Sequence, residues 1–360
     1  MSKRIFYFDA LRALAILSVL AVHIFDGHTF YIVAADYGAV PSFNWFLAVF
    51  VNNGLRIGVD LFLMLAGALS LGRQWSITSF LERRIPRIVL PFVFWGFVLS
   101  IFLIAISYFF SFGFIQDFSA YNCLLFIYNA YMVYTQGFYP YWFFWVILGT
   151  YLIMPIFNKW LLHSDLKEAE YFLCIWLFSA TYKTIFHTDF IVTLVYFSAP
   201  IALVILGYYL RHTKRKLLNN PYFGIFLILA SLTSLMTATY FLSDTVTYYK
   251  FSRYSIGTIV EVVGIFILFK NFDKLNMNFR FLKNPEGIFR KFTLLLARYS
   301  YGIYLVHGPV IVTFLKIFLD MGLHYKALVF SLFFSVLISS ILILFVFDKI
   351  PYVRDIIGVK

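Results

Sequence analysis

The 360-residue chain contains few charged residues and few cysteines. Only 13% of its residues are Asp, Glu, Lys or Arg, about half the share of an ordinary soluble domain. This scarcity excludes a chain built from several soluble domains. Since Cys123 and Cys174 are its only cysteines, a disulfide framework is also excluded. Long strand-like alternation of polar and apolar residues is missing, which argues against a transmembrane barrel.

Three signatures of metal, phosphate or nucleophile chemistry are missing as well. The chain has neither a Gly-Lys-Ser-type phosphate loop nor a His-Glu-x-x-His metal motif. It also lacks a Gly-x-Ser-x-Gly nucleophile elbow. We therefore expect no bound metal.

Hydrophobic residues make up 62% of the chain, and 46 Phe, 26 Tyr and 7 Trp suit a bilayer with aromatic residues at both interfaces. Apolar runs long enough to cross a membrane recur along the whole length. The sequence predicts an all-α, polytopic membrane protein, a single domain over 1–360 with about ten transmembrane helices. The predicted spans are 6–26, 46–71, 88–110, 142–162, 170–187, 194–211, 222–242, 253–270, 294–317 and 326–348.

The basic residues predict the orientation in the membrane. Of the 29 Lys and Arg, 21 fall in one set of inter-span segments, four in the opposite set and four within spans. Because basic residues accumulate on the cytoplasmic side, both termini are predicted to be cytoplasmic. This bias and attraction to anionic membrane lipid account for the net charge of +12. Nucleic-acid binding is not needed to explain it.

Arg12 and His23 are the most informative residues of the first predicted helix. They lie eleven residues apart, about three turns or 16 Å, on nearly the same face. Ionisable groups at membrane depth usually face a protein interior or a watery cavity. His23 is therefore a candidate general base, with Asp26 and His28 following it. The alternative is a helix-end histidine that is hydrogen-bonded at the membrane interface.

Arg56 and Asp60 lie four residues apart in the second predicted span. A spacing of four places both side chains on one helix face, where they can pair directly. An internal ion pair that lets both tolerate burial is the favoured interpretation. A role in lining a site is the alternative.

Glu261 lies near the middle of the eighth predicted span, and no basic residue is adjacent to it in sequence. A carboxyl at that depth must be neutral or paired with another helix. It is a candidate to orient His23, or to pair with Arg12 or Arg298.

The ninth predicted span carries a polar stripe. Ser300, Tyr304 and His307 share one helix face by their spacing. Arg298 lies on roughly the opposite face, near the cytoplasmic entrance. The stripe is a candidate substrate lining, and interhelical hydrogen bonding by Tyr and His is the alternative.

An inner loop with the sequence Phe-Leu-Glu-Arg-Arg-Ile-Pro-Arg carries Arg83, Arg84 and Arg87. Closely spaced guanidinium groups bind phosphates well, and coenzyme A carries three phosphates. The alternative is that these residues only set the topology.

Four segments in order resemble acyltransferase family 3, the integral-membrane O-acyltransferases of cell-surface glycans. The first is Phe-Asp-Ala-Leu-Arg-Ala-Leu-Ala with His23, an Arg-x10-His signature. The second is Gly-Val-Asp-Leu-Phe-Leu-Met-Leu-Ala-Gly followed by an Arg-x-x-Arg pair, Arg84 and Arg87. The third is the aromatic segment near 141–155, and the fourth ends at His307. One departure is Ala66-Gly67-Ala68, where the family commonly has Ser-Gly-Phe.

The resemblance implies transfer of an acyl group, by default acetyl from acetyl-CoA, to a sugar hydroxyl. The implied reaction is similar to the O-acetylation of enterobacterial common antigen at the inner membrane. The resemblance also implies that the protein is located in the bacterial inner membrane. The acceptor is then a glycan or lipid-linked saccharide. The hypothesis makes His23 the base, gives Arg12 an electrostatic or positioning role, and assigns the donor phosphates to Arg83, Arg84, Arg87 and Arg298. Candidates for orienting the substrate are Asp60, Glu261, Tyr304 and His307.

A proton-coupled transporter or flippase of a glycolipid is the competing hypothesis. Buried Glu261, Arg12 and His307 suit proton coupling. Against it, no pair of Gly- or Pro-broken helices occurs at matching positions in two halves. A non-catalytic scaffold is disfavoured by the number of ionisable residues within spans. Dependence on acetyl-CoA separates the enzyme from both alternatives.

Overall fold

The computed structural model describes residues 5–25, 43–132, 141–186, 194–242, 251–275 and 287–359. Over these residues the chain forms helices, turns and loops without a strand, which confirms the all-α prediction. The helices are α1 (Phe6–Phe25), α2 (Phe43–Val49), α3 (Gly58–Ser70), α4 (Ile77–Phe110), α5 (Ala120–Met132), α6 (Trp142–His163), α7 (Leu166–Phe186), α8 (Leu194–His212), α9 (Pro221–Leu242), α10 (Ile256–Lys270), α11 (Ile288–Asp320) and α12 (Tyr325–Phe347).

Seven segments of this described part are long and apolar enough to cross a bilayer. Several such helices make the chain a multi-pass membrane protein. The other three predicted spans are helices α7, α8 and α10. Helix α10 has 15 residues, about 22 Å, which is shorter than a hydrocarbon core of about 30 Å. The count of ten spans and the cytoplasmic termini stay predictions. The seven candidate spans are Phe6–Phe25, Trp45–Ser70, Ile77–Phe110, Trp142–His163, Pro221–Leu242, Ile288–Asp320 and Tyr325–Phe347.

The second predicted span is not one continuous helix. Helix α2 passes into a π-helical turn over Phe50–Gly54, and α3 begins only at Gly58. Asn52, Asn53 and Gly54 are weak helix formers, and the two asparagine side chains bond to neighbouring elements. The break follows from this local sequence and leaves Arg56 ahead of α3.

The basic segment predicted as an inner loop is helical. Helix α4 begins at Ile77, so Arg83, Arg84 and Arg87 lie within its first three turns. The Leu, Glu and Arg residues of this segment are good helix formers. Pro86 removes one intrahelical hydrogen bond, which a helix of 34 residues tolerates.

The chain divides into two compact units. Unit 1 comprises residues 1–77 and 152–297, and unit 2 comprises 78–151 and 298–360. Unit 1 contains α1–α3 and α7–α10. Unit 2 contains most of α4, α5, the first part of α6, most of α11, and α12.

Helices α3 and α8 of unit 1 cross at two glycines. A Cβ atom on Gly67 would lie 1.7 Å from the Val204 carbonyl oxygen, and one on Gly207 would lie 2.0 Å from that of Met64. Each glycine thus admits the backbone of the other helix. Small residues allow such close approach of membrane helices, so this crossing explains the glycine of Ala66-Gly67-Ala68.

In unit 2 the carboxylate of Asp348 joins α11 to the end of the chain. Arg298 Nη2 lies 2.6 Å from Asp348 Oδ2, and Tyr299 donates to the same oxygen over 3.2 Å. Arg354 Nε lies 3.3 Å from Asp348 Oδ1. Trp95 of α4 donates to the Ile357 carbonyl, 3.1 Å away. These bonds fix the C-terminal segment against the helices of unit 2.

Glu170 at the start of α7 offers a test of the fold by pH. Hydrogen bonds from Arg215 Nε (2.8 Å) and Tyr209 Oη (2.7 Å) lower the pKa of the Glu170 carboxyl from 4.5 to about 2. Because the folded-state pKa is the lower one, the stabilisation is complete above pH 4.5 and is lost as the pH falls towards 2. We expect Glu170→Gln to unfold at a lower temperature than wild type at pH 7, with the gap narrowing below about pH 4.5 and closing towards pH 2. A pH-independent gap in thermal unfolding would contradict this assignment.

Candidate active site

His23 lies in the last turn of α1 and is half-buried. Its ring hydrogen-bonds to the backbone of Val19, one turn earlier. One ring nitrogen therefore donates to the Val19 carbonyl, and in the neutral imidazole the other carries the lone pair. His23 is thus held in a form that can accept a proton. Asp26 and His28 lie outside the described residues.

A close helix crossing packs the start of α3, which carries Asp60, against α1. A Cβ atom on Gly58 would lie 2.5 Å from the Ala15 carbonyl oxygen and 3.2 Å from the Val19 nitrogen. Asp60 follows Gly58 by two residues and His23 follows Val19 by four. The absence of a side chain at Gly58 allows this approach of α3 to α1, and both His23 and Asp60 lie within electrostatic range of Arg253 and Arg56.

Asp60 and Glu261 are both buried, with 0% and 2% of their surface exposed. Among the residues that the structure describes, neither oxygen of the Asp60 carboxyl has a hydrogen-bond partner, nor does Oε2 of Glu261. The two carboxyls lie within electrostatic range of each other. Buried acceptors without donors are costly, which is typical of functional sites. Across the described ranges, no group of three or more His, Cys, Asp or Glu side chains is placed to hold a metal ion.

The predicted direct pair of Arg56 and Asp60 is wrong. Arg56 Nη1 donates instead to the Phe251 carbonyl over 3.0 Å, and the oxygens of Asp60 accept no hydrogen bond from any described residue. Because the chain breaks before Gly58, the two residues do not share a helix and the spacing of four has no helical meaning. The charge of Arg56 still acts on both Asp60 and His23.

Sequence reasoning missed the contribution that the segment before α10, with Phe251 and Arg253, makes to this part of unit 1. Asn53 accepts a hydrogen bond from the Phe251 N–H over 3.1 Å. Two residues later, Arg253 lies within electrostatic range of His23 and Asp60. Two signals were available: adjacent asparagines inside an apolar span, and a basic residue on the side predicted to carry only four.

Arg12 lies at the opposite end of α1 from His23. Its guanidinium forms an ion pair with Asp9 at 3.5 Å, and its side chain is 37% exposed. His23, Asp60, Glu261, Arg56 and Arg253, which are linked by their electrostatic interactions, are called the His23 cluster below. Eleven residues of helix, about 16 Å, separate Arg12 from His23. Arg298, a predicted partner of Glu261, forms an ion pair with Asp348. The charge that acts on Glu261 is that of Asp60.

Tyr304 and His307 belong to unit 2, and their polar atoms bond to backbone. The Tyr304 hydroxyl accepts from the Phe144 N–H over 3.1 Å. Nδ1 of His307 lies 2.7 Å from the Tyr304 carbonyl oxygen, and His307 is completely buried. These contacts match the interhelical hydrogen bonding considered above for Tyr304. A substrate-lining role for the pair stays a prediction.

The predicted donor-binding arginines also lie in unit 2. Arg83 and Arg87 are exposed on α4. Arg84 is half-buried, with its guanidinium carbon 5.9 Å and 6.0 Å from the ring centroids of Phe80 and Tyr151. This aromatic contact fixes Arg84 while Arg83 and Arg87 face outwards.

Apolar helices around buried ionisable side chains define an integral-membrane protein with a polar interior. The model of an acyltransferase domain, that of acyltransferase family 3, matches residues 5–349. The match covers nearly the whole chain, which therefore belongs to acyltransferase family 3 and is a membrane acyltransferase. Comparison with curated proteins and with solved structures gives no match.

Asp60 allows stability and activity to be separated. Asp60→Asn removes a buried carboxyl whose oxygens lack donors and keeps its size. We expect the variant to unfold at the same or a higher temperature than wild type and to lose about 10-fold or more in turnover. Thermal unfolding in detergent and coenzyme A release measure the two effects. A lower unfolding temperature with unchanged turnover would show that Asp60 is structural.

Proposed function

We propose that this acyltransferase moves an acetyl group from cytoplasmic acetyl-CoA to a sugar hydroxyl of a cell-surface glycan or its lipid-linked precursor. The observation that carries the proposal is the His23 cluster, a base with two buried carboxyls in a chain of an acyltransferase family. Family membership favours the enzyme over the transporter. The bacterial inner membrane is the proposed location.

His23 would act as a general base during transfer. The acceptor hydroxyl oxygen bonds to the thioester carbonyl carbon while the His23 ring nitrogen takes its proton. The π electrons of the carbonyl move to oxygen and form an oxyanion. Collapse of this species breaks the carbon–sulfur bond, and the proton on His23 passes to the coenzyme A thiolate. Ester and thiol are formed, and His23 returns to its neutral state.

Asp60 and Glu261 would tune this proton transfer. Their negative charge, when present, favours the protonated imidazole that forms beside them. Arg12 would contribute from the opposite end of α1, where it acts on the donor more readily than on the acceptor. His307 and Tyr304 are the proposed lining of the substrate path in unit 2.

The phosphates of coenzyme A are proposed to bind Arg84 and Arg87, with Arg83 beside them and Arg298 held at the Asp348 ion pair. We expect the double substitution Arg84→Gln, Arg87→Gln to raise KM for acetyl-CoA about 10-fold or more and to change kcat little, because phosphate contacts contribute uniform binding. Lys159→Gln, which changes an exposed residue of α6, is the control. A fall in kcat with unchanged KM would contradict donor binding.

Sealed membrane vesicles of known orientation test the donor side and the substrate classes together. Acetyl-CoA and longer acyl-CoAs are supplied outside inside-out or right-side-out vesicles that contain glycan precursors, and released coenzyme A is measured. The proposal predicts release from acetyl-CoA with inside-out vesicles, together with a base-labile acetyl ester on saccharide. Release only with right-side-out vesicles, or only with longer acyl chains, would overturn the donor assignment.

A further inference from the structure

Arg253 lies in a short turn that is held at its first residue by two side chains from the broken second span. The Phe251 N–H donates to Asn53 Oδ1 over 3.1 Å, and the Phe251 carbonyl accepts from Arg56 Nη1 over 3.0 Å. Both polar groups of one peptide residue are thereby engaged, and Phe251 itself is buried. The chain enters the turn at a defined position.

The same turn is held at its other end by α10 and α7. The Ser255 N–H donates to the Ser252 carbonyl over 2.9 Å. Ser255 caps α10, since its hydroxyl accepts from the Thr258 N–H. The Ile256 N–H donates to Thr184 Oγ1 of α7 over 3.2 Å. Arg253 therefore projects from a turn whose two ends are fixed by three different elements, the broken second span, α10 and α7.

Asn53 is oriented by α9. Its side-chain nitrogen donates to Thr239 Oγ1 over 2.8 Å, and Thr239 in turn donates to the Leu235 carbonyl over 2.7 Å. Because Thr239 uses its proton on Leu235, it can only accept from Asn53, so the amide oxygen of Asn53 must face Phe251. Asn53 is 1% exposed. A buried amide with both ends engaged fixes the turn more firmly than a surface contact.

The turn brings a guanidinium towards the base and the buried carboxyl. Two adjacent asparagines link the turn to the last residues of α1, since Asn52 donates to the Phe25 carbonyl over 3.3 Å and Asn53 accepts from the Phe251 N–H. Arg253 accordingly lies within electrostatic range of His23 and Asp60. Glu261, Arg56 and Tyr254 are further ionisable neighbours of Asp60. A fixed cation beside a general base matches what acyl transfer needs, because preorganised positive charge stabilises an oxyanion without rearrangement.

We propose that Arg253 stabilises the negative charge that forms on the acyl carbonyl oxygen, and that Asn53 is the positioning residue that holds the Arg253 turn in place. This inference rests on the proposed function in one respect, the role of His23 as the base of acyl transfer.

Chemical rescue tests Arg253. Arg253→Ala is expected to lower kcat about 100- to 1,000-fold and to change KM for the acyl donor little. Added guanidinium should restore part of the activity, and urea at the same concentration should restore none. Arg253→Lys should retain more activity than Arg253→Ala. Arg73→Ala, an exposed arginine, is the matched control and should show neither loss nor rescue. A kcat of Arg253→Ala close to wild type, or equal recovery with urea, would overturn the assignment.

Two variants test the positioning role of Asn53. Asn53→Asp keeps an acceptor for the Phe251 N–H, whereas Asn53→Leu removes it. We expect Asn53→Leu to lower kcat about 10- to 100-fold without response to guanidinium, and Asn53→Asp to retain more activity. Equal activity of both with equal protein would overturn the positioning role.

Each comparison uses the acyl-CoA that the wild type turns over fastest. A wild type that prefers a longer acyl chain would refute the acetyl proposal, yet the Arg253 and Asn53 comparisons would still be decisive.

Discussion

Replacing His23 with alanine is expected to abolish acyl transfer while folded protein stays in the membrane. A general base contributes about 100- to 10,000-fold to rate, so its removal should leave little measurable transfer. The fold should persist because α1 is held by fully buried residues earlier along its length, Ile16 and Leu20 among them, and by Ile24. Coenzyme A release and thermal unfolding in detergent measure the two properties.

A second substitution separates the base from a structural role. His23→Gln can still donate to the Val19 carbonyl but cannot take up a proton, so it should lose as much activity as His23→Ala. His163→Ala removes an exposed histidine at the end of α6 and should behave as wild type. Substantial activity in His23→Gln would show that His23 acts through its hydrogen bond and not as a base.

The largest loss of stability is expected from Gly67→Ala. The added Cβ atom would lie 1.7 Å from the Val204 carbonyl oxygen of α8, and backbone cannot yield as a flexible side chain can. Helices α3 and α8 must separate, at a cost of about 3 kcal/mol or more. Because α3 carries Asp60, activity should fall with stability. The amount of protein in the membrane and its unfolding temperature measure the effect.

The chain supplies a matched control for this substitution. Gly149 on α6 has no atom within 4 Å of an added Cβ, so Gly149→Ala should be neutral or slightly stabilising. Gly207→Ala should resemble Gly67→Ala, and the double variant should lose less than the sum, since both act at one crossing. Equal stability of Gly67→Ala and Gly149→Ala would contradict the close crossing.

Helices were predictable from the sequence because long apolar runs have few alternatives in a membrane. Each of the ten predicted spans coincides with helix over most of its described length, apart from the break at 55–57 and the turn at 253–255. Breaks and extensions were harder to predict, because hydropathy reports burial in lipid and not hydrogen bonding. The π-helical turn at Phe50–Gly54 depends on the hydrogen bonds of the asparagine side chains. The first turns of α4 are helical because of the helix propensity of their residues, which lie outside the apolar run.

The ionisable residues of the candidate site were largely predictable from the sequence, whereas the residues with which they interact were less so. Position in α1 indicated His23, isolation in an apolar span indicated Glu261, and the spacing of four from Arg56 indicated Asp60. Spacing suggested that Arg56 pairs with Asp60, but its guanidinium reaches Phe251, nearly two hundred residues away in sequence. Arg253 stood out only as one of the few basic residues on its predicted side, and its relation to His23 and Asp60 is visible only in the folded chain.

The stoichiometry of acetyl transfer tests the account most directly. Purified protein in lipid is given acetyl-CoA labelled in the acetyl group together with a glycan-lipid extract, and free coenzyme A and labelled ester are counted. The account predicts one base-labile acetyl ester on saccharide for each coenzyme A released, with neither product in His23→Ala. Coenzyme A release that yields only free acetate, or equal transfer by His23→Ala, would contradict it.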